Sequence, residues 1–285
     1  NGTAVEDCAD VCGGTSVLSG CDNACNSTAV DDCTGVCGGD ASDEDEDGIC
    51  DWNDADSYAT VQIGTQLWMT ENLKVTKYKD GSDIPTGLSS GTDGEWANTS
   101  EGAYAIYDDD PANADIYGHL YNWYAVDDER GVCPDGWNVP ADAEYSILAD
   151  YLGGSDVAGG KMKEEGTEHW DTNEGATNES GFTALPGGIR NGHDGYYSDM
   201  SLYGHFWSSD VWALGLNYHN TSLDRQWMDG DLVPGLSIRC LSDKVFDCAG
   251  VENGSATTDN CGDCVGGDTG ETACIQDCND EWGGD

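Results

Sequence analysis

The chain has 285 residues and 30.2 kDa, with ten basic against 56 acidic side chains and a formal charge of -46. A polyanion of this size is repelled by nucleic acid and by anionic membranes, so both are excluded as partners and cations are favoured. A mean hydropathy of -0.53 and the lack of any apolar run near ~18 residues exclude a membrane-spanning helix.

The chain starts at Asn1 with neither a Met nor a charged-then-apolar leader, which predicts a signal peptide that is upstream or already removed. Residues 1–58 carry 15 acids and no Lys or Arg, with Cys8, Cys12, Cys21, Cys25, Cys33, Cys37 and Cys50 spaced in a repeat of 12 or 13 residues. The words repeat as well: Asp7-Cys-Ala-Asp-Val-Cys-Gly-Gly14 returns as Asp32-Cys-Thr-Gly-Val-Cys-Gly-Gly39. Such an arm has too few apolar residues to offset the entropy of ordering it, so it needs covalent or ionic staples. With only five histidines and one CxxC pair, Cys261/Cys264, the 14 cysteines point to disulfides in a secreted protein rather than to zinc.

Between 43 and 54 the acids concentrate. Asp43, Asp45, Asp47, Asp51 and Asp54 alternate with other residues around Gly48, offering a hard cation the six to eight oxygens that calcium takes. The Asp-x-Asp-x-Asp-Gly pattern resembles the calcium loops of thrombospondin type 3 repeats and dockerins. It departs from an EF-hand, since the twelfth loop position is Asp54 and not Glu. Calcium is therefore the expected cofactor, with these five aspartates as its ligands.

From about residue 59 the composition turns to short runs rich in Trp and Tyr. Alternation over 61–69 predicts a strand, a turn and a strand, and 104–107 and 119–124 read as further strands or buried segments. After Pro140 the spacing predicts a helix over 141–152, with Tyr145, Leu148, Tyr151 and Leu152 on one face and Gly153-Gly154 as its stop, and a second helix over 157–165. Residues 181–190, 205–209, 211–216 and 237–241 read as strands or glycine-rich loops. The body contains two cysteines only, Cys133 and Cys240, and a structural disulfide between them is the expected use.

Several words of this body, in order, carry a resemblance. Trp68-Met-Thr-Glu-Asn-Leu-Lys74, Tyr117-Gly-His-Leu-Tyr-Asn-Trp-Tyr-Ala125, Cys133-Pro-Asp-Gly-Trp-Asn-Val-Pro140, Gly181-Phe-Thr-Ala-Leu-Pro-Gly-Gly188, Phe206-Trp-Ser-Ser209 and Ser237-Ile-Arg-Cys240 are similar to the Fibrobacter succinogenes major paralogous domain. That family occurs in secreted and surface proteins. The resemblance implies an α+β fold of the C-type lectin-like kind, close to formylglycine-generating enzymes, with few helices and short antiparallel strands. Three domains are expected: an arm at 1–58, the lectin-like body at 59–243, and a second arm at 244–285.

The second arm has ten acids and no base over 245–285 and repeats the first arm's vocabulary in Asp247-Cys-Ala-Gly-Val251, with Cys248, Cys261 and Cys274 at intervals of 13. Its closing words, read on into the opening words, continue the same grammar. No nucleophile elbow, zinc-protease motif or phosphate-binding loop is present, so catalysis is not expected. His119 and His205 sit in aromatic words as expected partners of buried polar groups, and Glu168-His169 near Asp171 is the one acid/base cluster that can be drawn. Trp68, Trp123, Trp137 and Trp207 are expected in the core, while Trp170, Trp212 and Trp227 lie in more polar surroundings suited to stacking on sugars. The expected function is an extracellular structural protein, assembled with copies of itself head to tail through calcium- and disulfide-stabilised arms. The alternative is a surface adhesin or carbohydrate-binding module, with glycans as partners, on a calcium-stiffened stalk.

Overall fold

The computed structural model describes residues 18–19, 24–26, 28, 58–227 and 234–274. The chain divides into two compact units, residues 1–54 and 55–285. In the first, β1 (Leu18–Ser19) pairs antiparallel with β2 (Ala24–Cys25), Leu18 facing Cys25. Asp43, Asp45, Asp47, Asp51 and Asp54 lie outside the described residues.

The second unit begins with β3 (Thr60–Ile63) and β4 (Gln66–Met69), paired through the turn at Gly64 and Thr65. Gly64 is required there: its φ is 61°, and a Cβ would fall 2.9 Å from the Tyr151 ring. Helix α1 (Glu95–Asn98) seats Trp96 in a small core with Ala103 and Ala105. Strand β5 (Tyr104–Ala105) leads to α2 (Pro111–Tyr117), which starts at Asp110: its carboxylate accepts from the Ala112 N–H, and Pro111 fills the first helical position. Strand β6 (Leu120–Tyr121) pairs with β5. The run at 119–124 keeps only those two residues as strand, because the Asn122 carbonyl oxygen then accepts from Ala125 N–H and caps α3 (Trp123–Val126).

Strand β7 (Trp137–Asn138) precedes α4 (Asp142–Tyr151). Glu144 reaches back to accept from Ala141 N–H at 2.7 Å, and Asp210 accepts from Asp142 N–H at 2.9 Å, so two amides of the first turn are satisfied. The buried stripe of α4 is Tyr145, Leu148 and Ala149, continued by Leu152. Tyr151, expected on that face, is 67% exposed, since it points toward Gly64 on the helix flank rather than into the core. Helix α5 (Ser155–Met162) ends before Lys163, three residues short of the expected span.

Strands β8 (Ile189–Arg190) and β9 (Tyr197–Ser198) form a short pair. Strands β10 (Tyr203–Trp207), β11 (Trp212–Asn217) and β12 (Leu223–Trp227) form a three-stranded antiparallel sheet. Its alternation separates two cores. Phe206, Leu214, Leu216 and Leu223 pack with the α4 stripe and Trp68, whereas Trp207 and Ala213 pack with Tyr121, Trp137 and Ile238. Strand β13 (Leu241–Ser242) completes a four-stranded sheet in the order β3-β4-β13-β7. The short pair β14 (Thr257–Thr258) and β15 (Cys264–Val265) lies in the C-terminal segment. A few short helices and small antiparallel sheets make an α+β arrangement. Among the described residues no helix is long and apolar enough to cross a membrane.

Candidate functional site: the C-terminal arm and the knot that anchors it

After β13 the chain is poor in apolar residues, with only Ala256 and Val265 buried among the described ones, and residues 245–274 fold around two carboxylates instead. One oxygen of Asp247 accepts from the N–H groups of Ala249 and Val251 at 3.0 and 2.9 Å, and the other from Ala256 at 2.9 Å. Asp259 repeats the scheme, accepting from Cys261 and Asp263 at 2.9 and 3.0 Å and from Cys274 at 2.7 Å. Each aspartate thus gathers amides two and four residues on and one far ahead. Gly254 permits this closure, because a Cβ there would fall 2.0 Å from the Asp247 carboxylate.

Two disulfides lock the loops, Cys248–Cys264 and Cys261–Cys274. In chain order they link first to third and second to fourth, so neither loop can open without the other. The Cys261/Cys264 pair therefore supplies no thiolate. Asp259, Cys261 and Cys274 bring one donor atom each within 4.8 Å, but both sulfurs are bonded to each other and the carboxylate is saturated by amides, which leaves nothing for a metal. The arm meets the body where Phe246 N–H donates to Thr65 O at 3.4 Å, and within the arm Lys244 pairs with Glu252 at 3.5 Å.

The amide bonds hold both carboxyls below the ordinary value of 3.8, chiefly through Val251 for Asp247 and Cys274 for Asp259. A depressed folded pKa stabilises above the unfolded value, and that contribution disappears as pH falls through the folded one. The arm should therefore loosen in acid, below about pH 4. The protection factors of the Ala256 and Cys274 amides, which correct for the intrinsic slowing of exchange in acid, are expected to fall there while that of Leu214 in β11 is kept. Uniform exchange across all three would contradict the two-aspartate account.

In the body, Cys133 and Cys240 are bonded, both buried, 107 residues apart. Next to Cys240 lies Arg239, with no exposed surface. Its Nη1 donates to Phe182 O at 2.5 Å and Met69 O at 3.2 Å. Its Nη2 and Nε both donate to the Asn72 side-chain oxygen, at 2.7 and 3.2 Å. Asn72 in turn donates to Tyr117 O at 2.9 Å and to the Ser237 hydroxyl at 3.3 Å. The guanidinium lies 4.5 Å over the Phe182 ring. Burial pulls Arg239 down to about 9, so it remains charged at neutral pH. Without a carboxylate against it, the charge is carried by carbonyl dipoles and a π face. Four separate segments, around 68–74, 117, 181–183 and 237–240, thus meet at one side chain.

Residues 61–242, more than half of the chain, match the Fibrobacter succinogenes major domain. The chain belongs to that family. No curated protein and no solved structure matches it. Within this Fibrobacter succinogenes major domain, Asn72 and Arg239 are the residues that sequence reasoning missed: both stood in quoted words, but nothing in the spacing joined them.

The other singled-out residues of the Fibrobacter succinogenes major domain are placed as follows. Trp68, Trp137 and Trp207 are buried, and Trp123 packs on the same core. Trp170 is 1% exposed and not a surface platform: its Nε1 donates to Ala184 O at 3.3 Å, and the Lys163 ammonium sits 5.4 Å over its ring. Lys163 itself donates to the carbonyls of Glu174, Asn217 and Asn220. Trp212 is half-buried, and the Trp227 side chain lies outside the described residues. His119 stacks on Tyr104 at 4.4 Å, with Nδ1 3.4 Å from Val75 O. His205 differs from the expected satisfied partner, since its buried Nδ1 has no hydrogen bond. Burial pushes both histidines down to about 4, so each is neutral at physiological pH. His169 pairs with Glu164 at 2.9 Å rather than with Glu168 or Asp171, in line with reading that grouping as a chance pairing in an acidic chain.

Proposed function

We propose that this chain is an extracellular structural protein whose cysteine-rich arms join copies head to tail into a filament stabilised by disulfides and calcium. In this reading the Fibrobacter succinogenes major domain is a C-type lectin-like body carried along the fibre. The observation that carries the reading is the construction of the C-terminal arm. Crossed disulfides and two saturated carboxylates give a stiff module without an apolar core, which suits an element that transmits load between subunits. The words that build it, Asp247-Cys-Ala-Gly-Val251, recur at Asp7 and Asp32, which supports a shared scheme for both arms.

Asp247 and Asp259 spend their oxygens on backbone amides, so calcium falls to the acids that follow an alternating pattern. Asp43, Asp45, Asp47, Asp51 and Asp54 have that pattern, and calcium there would neutralise a block that otherwise repels itself. An array of like-charged subunits at -46 each also requires cations to approach. The carbohydrate-binding alternative loses one of its three stacking candidates, because Trp170 is buried.

The full chain with the arm bridges removed, Cys248→Ser, Cys261→Ser, Cys264→Ser and Cys274→Ser, tests this. In calcium-containing buffer the unaltered chain is expected to scatter light as large assemblies, and the fourfold variant as single subunits with a folded body. Equal assembly of both would count against the arm as the joint.

A further inference from the structure

Where the β3–β4 turn, the flank of α4 and the C-terminal arm come together, a groove of about 280 Å3 lies open. Gly64, Thr65, Ile147 and Tyr151 form its body wall, and Thr258, with Cys264 of the arm disulfide, forms the other. Both walls belong to the second compact unit. In volume the groove stands at the lower end of small-molecule sites, which run from about 300 to about 1,000 Å3. None of the residues that line it is charged, although 23% of the chain is Asp, Glu, Lys or Arg. On a surface this acidic, an uncharged cavity selects against ions of either sign.

Tyr151 supplies the second observation. Its ring is 67% exposed, and Ile147, one turn before it on α4, is 52% exposed. Three ring atoms of Tyr151 lie within 3.3 Å of where a Cβ at Gly64 would stand, so the ring rests against bare backbone. An aromatic ring that is set in place yet open to water is a stacking platform that needs little further ordering on binding. Across from it the lining turns polar. The hydroxyls of Thr65 and Thr258, both exposed, make no hydrogen bond within the chain among the described residues.

A charged occupant would find no counter-charge in this lining. A purely apolar one would cover the two threonine hydroxyls and leave them without partners, which is costly. A pyranose ring meets both demands, with a face of C–H groups for Tyr151 and Ile147 and a rim of hydroxyls for the threonines. We infer that this groove binds a neutral sugar, one pyranose ring laid against Tyr151 and Ile147 and its hydroxyls bonded to Thr65 and Thr258. Held between the walls, the sugar ties the arm to the body, so the site depends on the arm disulfides. It does not depend on assembly of the chain, and it lies apart from the tryptophans first considered for stacking.

The test is an amide chemical-shift titration of the full chain in calcium-free buffer, where the fibre reading expects single subunits and its failure would change nothing. The probes are methyl β-glucopyranoside, methyl β-galactopyranoside and cellobiose. Saturable shifts at Thr65, Tyr151 and Thr258 are expected with at least one of them. Tyr151→Ala should weaken that binding about tenfold with the thermal midpoint unchanged, and Tyr151→Phe should keep it within about twofold. Tyr196→Ala, at an exposed tyrosine elsewhere, should leave it as it is. The chain carrying Cys248→Ser, Cys261→Ser, Cys264→Ser and Cys274→Ser should lose it, since the arm wall is no longer locked. No saturable shift with any of the three sugars, undiminished binding by Tyr151→Ala or by the fourfold variant, equal shifts with acetyl-leucine amide, or the same shifts on concentrating the chain without sugar would overturn the inference.

Discussion

An Arg239→Met chain is expected to lose about 3–5 kcal/mol of unfolding free energy, seen as a much lower urea midpoint with an unchanged slope. Methionine fills most of the volume and removes the charge, so the loss reports what the guanidinium's bonds were doing. Without it, the Asn72 oxygen and the carbonyls of Met69 and Phe182 are buried with no donor, and each such acceptor costs about 1–3 kcal/mol. The opposing effect is relief of the desolvation that pulls Arg239 down. Three stranded acceptors outweigh that relief. Arg239→Lys should fall between the two, keeping the charge but losing the fork that meets Asn72 with two nitrogens. A loss below about 1 kcal/mol for the Met variant would mean that the four segments are held by their packing alone.

Removal of the body disulfide should have a comparable effect through a different cause. The Cys133–Cys240 link closes a loop of 107 residues, so Cys133→Ala/Cys240→Ala releases about 4.8 kcal/mol of loop entropy into the unfolded chain. The arm bridges close 16 and 13 residues and contribute about 3 kcal/mol each by the same relation. Exposure runs in the same direction. Cys133 and Cys240 are buried, whereas Cys261 is exposed and Cys248, Cys264 and Cys274 are half-buried. Mild reductant followed by alkylation and mass analysis should therefore label the four arm cysteines first and Cys133 and Cys240 only on global unfolding. Early labelling of the body pair would refute this order.

Much of the second unit was legible where periodicity is strong. Alternation over 61–69 around Gly64 gives β3 and β4, and the apolar spacing after Pro140 gives α4. Tyr151 shows the limit of that reading: a helical wheel allots it to the buried face, but its ring lies beside the turn at Gly64 and stays exposed. Helix α2 escaped because its sequence has one buried residue, Tyr117, and hence no stripe, although Asp110-Pro111 spelled its start. Trp170 misled for a related reason. Its neighbours Glu168, His169 and Asp171 are polar, but in a loop the neighbours in sequence do not share its environment, and Ala184 and Lys163 come from elsewhere to bury it. The knot at Arg239 is long-range in every bond, so the words around it could be read while their meeting point could not. Asp247 and Asp259 looked like two more acids in an acidic arm, and only their three amides each separate them from ligands for an ion.

In the proposed fibre the arms are joints between copies of a chain whose charge of -46 calls for cations at each contact. Electron micrographs of the full chain, taken in calcium and again after chelation, test that most directly. Filaments with an axial repeat of one subunit in calcium, shortening or dispersing when the ion is removed, are the predicted result. Dispersed single subunits with calcium present and all disulfides intact would contradict it.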